Sequence, residues 1–231
     1  PAEKKGSGGL NPAWVIPLLF IIAVCFYQFY LGAPENFEGG DNKNQPLPGN
    51  YFGMVYHGGP VVPVLITCLL TVIVFSIERL FTLSKANGKG SPEAFVRKIR
   101  GLLDKGQIED AIKECDRQKG SVGNVIRAGL MKYKQLTTDA SLNKEQKLAA
   151  LQKEIEEATT LELPMLQKNL TIIATLASAS TLFALLGTVL GMIRAFAALG
   201  TSGQPDSAAL ATGISEALIN TALGIGSAAL A

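Results

Sequence analysis

Long apolar stretches separated by polar ones form the dominant pattern along this chain. Four of these stretches stand out, at residues 14–31, 61–83, 170–199 and 208–231. Each comes close to or exceeds the roughly 20 residues that an α-helix needs to cross about 30 Å of hydrocarbon. The pattern therefore predicts an all-α, polytopic helical membrane protein.

The first apolar stretch has two readings, because Lys4 and Lys5 precede it as they would precede a secretory signal. A signal peptide has a shorter apolar core that ends in small residues at a cleavage site. This stretch ends instead in aromatic residues, which are typical of an interfacial anchor. They are Phe26, Tyr27, Phe29 and Tyr30. We expect an uncleaved span, and a chain that begins at Pro1 after loss of its initiator Met.

Basic residues predict the orientation of the spans. Fifteen of the 21 Lys and Arg residues lie between residues 84 and 162, whereas the loop at 32–60 holds Lys43 alone and residues 200–207 hold none. Cytoplasmic loops carry the excess of Lys and Arg. The N-terminus and the large segment after the second span are therefore predicted to be cytoplasmic, and the two poorly basic loops to lie outside.

The cytoplasmic segment also shows helical spacing. Apolar residues recur at intervals of three and four within 95–103, 108–115 and 122–136, which predicts short helices. Asn143 followed by Gln146 is typical of a capping box and predicts a further helix that runs toward the membrane. Pro164 removes a backbone donor from that helix, so we expect a kink there.

These patterns divide the chain into seven segments. They are an additional N-terminal transmembrane helix at 1–31, an outer loop at 32–60, a transmembrane helix at 61–83, a cytoplasmic helical region at 84–165, a transmembrane helix at 166–200, an outer turn at 201–207 and a transmembrane helix at 208–231. Long helices are expected to extend from the bilayer into the cytoplasmic region.

Composition and charge exclude several classes of function. The net charge of +2 arises from a mixture of both signs, which is typical of solvated helices and not of nucleic-acid binding. Cys25, Cys68 and Cys115 lack the spacing of a metal site, and we interpret His57, the single histidine, as an ordinary interfacial residue. No nucleophile stands beside a general base, and no phosphate-binding motif appears. We therefore expect no metal, no cofactor and no enzyme activity.

The last two spans carry the candidate chemistry. Small residues in the third span recur at intervals of three and four, which places them on one stripe of a helix. The stripe consists of Ala174, Ala177, Thr181, Ala184, Thr188, Gly191 and Ala195. Such a stripe permits close helix packing, and it also suits the lining of a pore. The pattern alone leaves both interpretations open.

The positions of two hydroxyls favour a pore. Thr188 stands twelve residues before Gly200, and Thr221 stands twelve residues after Ala209, so both lie about 18 Å from the outer turn. Glu216 lies about 10 Å from that turn, between the threonines and the outside. A carboxylate within a span is costly and indicates function. Because Glu216 and Thr221 are about 140° apart on a helix, we expect Glu216 to face the edge of the lumen or a neighbouring subunit, and to be able to take up a proton.

Three segments of the chain resemble the MotA/TolQ/ExbB proton channel family, and ExbB most closely. They are Leu-Gln-Lys-Asn-Leu at 166–170, Leu-Leu-Gly-Thr-Val-Leu-Gly-Met-Ile at 185–193 and Gly-Ile-Ser-Glu-Ala-Leu-Ile-Asn-Thr-Ala-Leu-Gly at 213–224. By motif match, the resemblance implies that Thr188 and Thr221 are the lumen threonines and that Glu216 is the glutamate of the span. The strong resemblance covers about the last 65 residues, and the general layout extends it further toward the N-terminus.

The resemblance also implies partners and a location. It implies a pentamer of this chain in a bacterial inner membrane, with the outer loop and turn in the periplasm. The pentamer would surround an ExbD-like single-span protein whose membrane aspartate carries protons, and it would energise a TonB-like protein for transport across the outer membrane. Alternatives are a TolQ-like envelope subunit, a MotA-like stator subunit that engages a rotor through charges such as Arg97, Lys98 and Arg100, and a non-conducting membrane scaffold.

Three features depart from the family pattern. Thr181 stands where the family commonly has proline. The first span is additional to the usual three, and the chain ends at Ala231 within a helix that the family continues into the cytoplasm.

Overall fold

A computed structural model describes residues 11–42, 44–138, 141–201 and 207–231 of the chain, without the side chains of 198–201 and 207–209. α-Helices dominate it, and the predicted all-α architecture is confirmed. Phe37 and Pro46 form an isolated β-bridge, and no strand occurs within the described ranges. Lys4, Lys5, Lys43 and residues 202–206 of the predicted outer turn lie outside the described residues.

Nine α-helices follow one another along the described chain, with short π and 3₁₀ turns in the first half. They are α1 (Pro12–Cys25, extended by a π-helical turn at Phe26–Leu31), α2 (Tyr51–Tyr56), α3 (Val62–Ala86), α4 (Pro92–Asp104), α5 (Ile108–Gln118), α6 (Ser121–Thr138), α7 (Lys144–Gln167), α8 (Leu170–Thr201) and α9 (Ser207–Leu230). The 3₁₀ turns are Pro34–Asn36 and Glu38–Gly40.

Four helical stretches are long and apolar enough to cross a membrane. They are Pro12–Leu31, Val62–Ala86, Lys144–Ala197 and Leu210–Leu230. Between 11% and 39% of the residues in their apolar windows are buried, so most of this apolar surface stays accessible. Accessible apolar helices with satisfied backbones suit a lipid environment. The chain is therefore a multi-pass membrane protein, while the predicted orientation and segment boundaries stay predictions.

The third of these stretches is interrupted between α7 and α8. The helix continues through Pro164 to Gln167, and the helical backbone breaks at Lys168 (ψ 136°) and Asn169 (φ 65°). Nη1 of the buried Arg79 donates to the carbonyl oxygens of Met165 and Leu166, at 3.3 Å each. A cation at this end of a helix satisfies carbonyls that lack an intrahelical partner. The helical backbone thus breaks one turn after Pro164, and the kink at Pro164 itself stays a prediction.

The chain divides into two compact units. One unit contains the described residues up to Glu78 together with Asn169–Ala231, and the other contains Arg79–Lys168. The first unit holds α1, α2, most of α3, α8 and α9, and the second holds α4 to α7.

In the first unit, α8 and α9 form an antiparallel hairpin with very close backbone approach. Gly191 lies against Gly213 and Ala217, so that a Cβ added at Gly191 would stand 2.9 Å from the Gly213 carbonyl oxygen. Further along, a Cβ added at Gly224 would overlap the side chain of Ala184. Small residues at these positions allow the two helices to interlock.

The loop at 32–60 packs against the end of the first helical stretch. The rings of Tyr27 and Tyr56 stack at 4.7 Å between centroids, and the Tyr27 hydroxyl donates to the Tyr56 carbonyl oxygen at 2.9 Å. Asn36 Nδ2 donates to the carbonyl oxygens of Tyr30 and Leu31. These contacts join the loop at 32–60 to the end of the first helical stretch.

The second unit has its own apolar core. Its buried members come from α4, α5 and α6, and they are Phe95, Ile99, Ala111, Ile112, Cys115 and Leu130. Burial raises the pKa of the Cys115 thiol to about 11, so this cysteine is protonated at neutral pH. The predicted capping box at the start of α7 is confirmed, since Asn143 and Gln146 bond reciprocally at 2.8 and 3.0 Å. Ser91 occupies the N-cap of α4, although its side chain makes no capping bond.

The close approach in the hairpin makes a prediction for Gly213→Ala. An added Cβ would lie 2.7 Å from Cβ of Ala195 and 2.9 Å from the Gly191 carbonyl oxygen. Overpacking of this kind costs about 1–3 kcal/mol. We expect a lower midpoint of thermal unfolding in detergent, measured by circular dichroism.

Gly226→Ala on the same helix is the matched control. An added Cβ there meets nothing within 4 Å. Replacing Gly by Ala raises the intrinsic helix propensity by the same amount at both positions. Equal midpoints for the two variants would contradict the close packing of α8 on α9.

Candidate functional site in the α8–α9 hairpin

Two threonine hydroxyls meet at the centre of the hairpin. Thr188 Oγ1 on α8 and Thr221 Oγ1 on α9 are 2.6 Å apart, so the two side chains form a hydrogen bond across the helix pair. Residue counting predicted that the two hydroxyls lie at the same distance from the turn, and in the structure they are in contact. Both residues are partly buried.

Backbone carbonyls complete the surroundings of the two hydroxyls. Thr188 Oγ1 lies 3.0 Å from the Ala184 carbonyl oxygen, and Thr221 Oγ1 lies 3.1 Å from that of Ala217. A hydroxyl has one proton to donate and two lone pairs to accept with. The pair can therefore bond internally and still accept a further hydrogen bond. It can relay or orient a proton but does not release one at neutral pH.

Glu216 has a partner that sequence reasoning did not assign. Its side chain is buried, with 8% of its surface accessible, and Oε1 accepts a hydrogen bond from Nη1 of Arg194 on α8. The Arg194 side chain is 50% accessible. The structure thus pairs the two charges of the last two spans.

The loop at 32–60 lies over this ion pair. Gly59, with φ of 81°, lies so close to Glu216 that an added Cβ would overlap the carboxylate, and it would stand 3.0 Å from Nη1 of Arg194. Positive φ and close approach both favour glycine. The His-Gly-Gly-Pro sequence at 57–60 therefore has a structural role, while the His57 ring itself hydrogen-bonds the Asn44 carbonyl oxygen at 3.0 Å.

Asn220 anchors the loop to α9. Its fully buried Nδ2 donates to the carbonyl oxygen of Gly58 at 2.8 Å. Gly187 on α8 provides the space, since a Cβ there would stand 2.7 Å from Cγ of Asn220. Oδ1 of Asn220 is buried and has no hydrogen-bond partner within the described residues. Asn220 therefore links α8, α9 and the loop next to Glu216.

The residues of the predicted small-residue stripe fall into two groups. Ala184, Gly191 and Ala195 are buried against α9. Ala177 is partly buried, and Thr181 is exposed, with its hydroxyl bonded to the Ala177 carbonyl oxygen at 3.1 Å. The part of the stripe near Thr188 thus packs helices together, while the part around Thr181 presents an open surface in this chain. Whether that surface lines a pore stays a prediction.

Sequence reasoning did not join Arg194 or Gly59 to Glu216. One signal was available, because Arg194 and Glu216 are the single charges of their apolar stretches and lone opposite charges in neighbouring spans tend to pair. The loop contacts had no comparable signal. In the part of the chain that the structure describes, no group of three or more His, Cys, Asp or Glu residues could hold a metal ion.

The anchoring role of Asn220 is testable with Asn220→Ala. The substitution removes the donor to the Gly58 carbonyl oxygen and leaves that buried acceptor unpaired, which costs about 1–3 kcal/mol. We expect faster hydrogen exchange in the loop at 50–60, measured by mass spectrometry. Asn124→Ala serves as a control, because Asn124 makes its side-chain bond to Glu162 in the second unit. Unchanged exchange in the loop of the Asn220 variant would contradict the anchor.

Comparison with known proteins agrees with the architecture. Residues 117–231 match the model of the MotA/TolQ/ExbB proton channel family. The putative biopolymer transport protein ExbB-like 3 of Synechocystis sp. is 40% identical over 73 residues, which cover 31% of this chain and 35% of that protein. The Tol-Pal system protein TolQ of Pseudomonas aeruginosa is 25% identical over 176 residues, which cover 75% of this chain and 76% of that protein.

A third relative is the biopolymer transport protein ExbB of Xanthomonas campestris. It is 37% identical over 71 residues, which cover 31% of this chain and 28% of that protein. The chain thus spans about a third of the length of the ExbB-named relatives from Synechocystis and Xanthomonas.

Proposed function

The chain belongs to the MotA/TolQ/ExbB proton channel family, and on this basis we propose that it is a proton-channel subunit of an inner-membrane motor. In this proposal the motor couples the proton-motive force to TonB-dependent transport across the outer membrane. The observation that carries the proposal is the hydrogen bond between Thr188 and Thr221, which places two hydroxyls together within the membrane-spanning hairpin.

The chemistry of the site supports a pathway shared by two proteins. The threonine pair can pass or orient a proton but supplies no group that titrates near neutral pH. Glu216 is held by Arg194 and is not hydrogen-bonded to the pair. A carboxylate from another chain is the simplest group that could bring protons to the hydroxyls. We therefore propose a single-span, ExbD-like partner with a membrane aspartate, surrounded by a homopentamer of this chain and acting on a TonB-like protein.

The proposed site residues are Thr188, Thr221 and Glu216, with Ala177, Thr181, Ala184 and Gly191 in the stripe beside them. The buried members of the stripe keep the hairpin narrow at the level of the threonines. The family consists of channel and transport proteins, and the proposed role is transport without enzymatic catalysis.

Thr188→Val and Thr221→Val test the pathway. Valine keeps the shape of threonine but removes the hydroxyl, and proton transfer requires a group within hydrogen-bond reach. In each variant we expect the proton flux of liposomes containing the complex to fall about tenfold or more, because the substituted residue no longer provides a hydroxyl within hydrogen-bond distance. Thr188→Ser, which keeps a hydroxyl, should retain most of the flux.

Thr175→Val is the matched control for these variants. Thr175 lies on the same helix, is exposed and bonds only its own helix at the Thr171 carbonyl oxygen. Flux that stays at the unmodified level in both pathway variants would favour the scaffold alternative, in which the hairpin only organises partners.

A TolQ-like envelope role is the second candidate, because the TolQ relative is 25% identical over 75% of this chain. A putative ExbB homologue of Methanothermobacter thermautotrophicus is also 25% identical, over 76% of this chain, so the extent of alignment does not separate the two roles. A MotA-like stator role would instead depend on exposed charges such as Arg97, Lys98 and Arg100, and Lys98 is already paired with Glu114 at 2.7 Å.

Native mass spectrometry of the complex purified from its own membranes separates these candidates. We expect five copies of this chain with a single-span protein that carries one aspartate in its span. Co-purification with a TonB-like protein supports the first candidate, and co-purification with Tol-Pal components supports the second. A complex of this chain alone would contradict the two-protein pathway.

A further inference from the structure

The ion pair of Arg194 and Glu216 lies inside a membrane-spanning helical hairpin, where charged side chains are rare and indicate function. Arg194 and Glu216 are the single charges of the two apolar stretches that form α8 and α9, and the structure joins them. A charge at membrane depth is expensive, and an opposite charge on the neighbouring helix offsets part of that cost. The pair is asymmetric, because the Glu216 side chain is 8% accessible and the Arg194 side chain is 50% accessible.

Glu216 is shielded on the side of the loop as well. The backbone of Gly59 covers the Glu216 carboxylate. Gly58, the residue before Gly59, is held by a 2.8 Å hydrogen bond from Asn220 Nδ2 to its carbonyl oxygen. Gly58 is buried, and Asn220 is fully buried. A carboxylate in such surroundings favours its neutral form unless a positive charge compensates. The charge state of Glu216 therefore depends on what faces it.

Few charged or titratable groups face Glu216 in the described part of the chain. From α8 it faces Arg194, and from the end of the first span the Tyr27 phenol lies within electrostatic range of both members of the pair. Tyr56, stacked on Tyr27, belongs to α2. Phenols are neutral at physiological pH, and the His57 ring is bonded to the loop backbone. The guanidinium is thus the positive charge that Glu216 meets.

We propose that Arg194 is a positioning residue that holds Glu216 ionised, so that Glu216 serves the site as a fixed negative charge and not as a proton carrier. This inference rests on the proposed function for its significance, since it assigns proton carriage to a group outside this hairpin. It also revises the expectation that Glu216 takes up a proton. Arginine suits the role because its guanidinium stays protonated at any physiological pH.

Labelling with dicyclohexylcarbodiimide tests the proposal on the full chain in detergent. This reagent reacts with protonated carboxyl groups in apolar surroundings and leaves a stable N-acylurea adduct, which peptide mass spectrometry can locate. We expect little adduct at Glu216 in the unmodified protein at neutral pH, because the proposed ion pair with Arg194 disfavours the protonated carboxyl that the reagent needs. Strong labelling of the unmodified protein near neutral pH would overturn the proposal without any variant.

Arg194→Gln and Arg194→Lys provide the comparison. Gln removes the charge and keeps a polar side chain, so labelling of Glu216 at neutral pH should rise about tenfold or more, since an adjacent opposite charge changes a carboxyl's protonation equilibrium by at least that factor. Lys keeps a cation and should leave labelling low. The Glu216→Gln variant gives the background of the method. Equal labelling of the Gln and Lys variants would overturn the assignment to Arg194.

The labelling experiment is independent of the channel assay. It needs neither a partner protein nor proton flux, so its failure leaves the result for Thr188 and Thr221 intact. Loss of flux in the threonine variants would likewise say nothing about Arg194. A merely structural Arg194 would change stability in the Gln variant, but it would not produce an adduct at Glu216 that follows the charge at position 194.

Discussion

The close approach of α8 and α9 is the constraint on which the rest of the site depends. Membrane helices gain nothing from hiding apolar surface from water, so association rests on van der Waals contact and polar bonds between backbones that come near enough. Gly191, Gly213 and Gly224 remove the side chains that would hold the helices apart, and Ala184 and Ala195 fill the space that remains. At this separation even a short side chain such as threonine reaches its counterpart on the opposite helix.

Each polar feature of the hairpin follows from this separation. Thr188 and Thr221 form a hydrogen bond because the glycines and alanines around them let the two helix backbones approach closely. Asn220 fits between the helices because Gly187 has no side chain, and from there it reaches the loop. The loop in turn places Gly59 over Glu216. Packing, the hydroxyl pair and the shielded ion pair are therefore parts of one arrangement.

Much of the fold was predictable because apolar length and charge distribution dictate membrane helices directly. The four spans, the capping box at Asn143 and the small-residue stripe all follow from local spacing, and the common level of Thr188 and Thr221 follows from the rise of a helix. The structure goes beyond the sequence where contacts join distant segments. Gly58 and Gly59 contact Asn220 and Glu216, which follow them in the chain by more than 150 residues. No local sequence pattern encodes these contacts. The interruption at Asn169 was also missed, because an αL residue leaves a weaker signal than Pro164 does.

The interlocked glycines and alanines have a mechanical consequence. Interfaces packed this tightly resist sliding and deform little, since they have discrete arrangements and not a continuum of them. The surface of α8 and α9 that carries the hydroxyl pair is therefore expected to be stiff. If the chain acts in the proposed motor, the moving part is an element that turns or shifts against this surface.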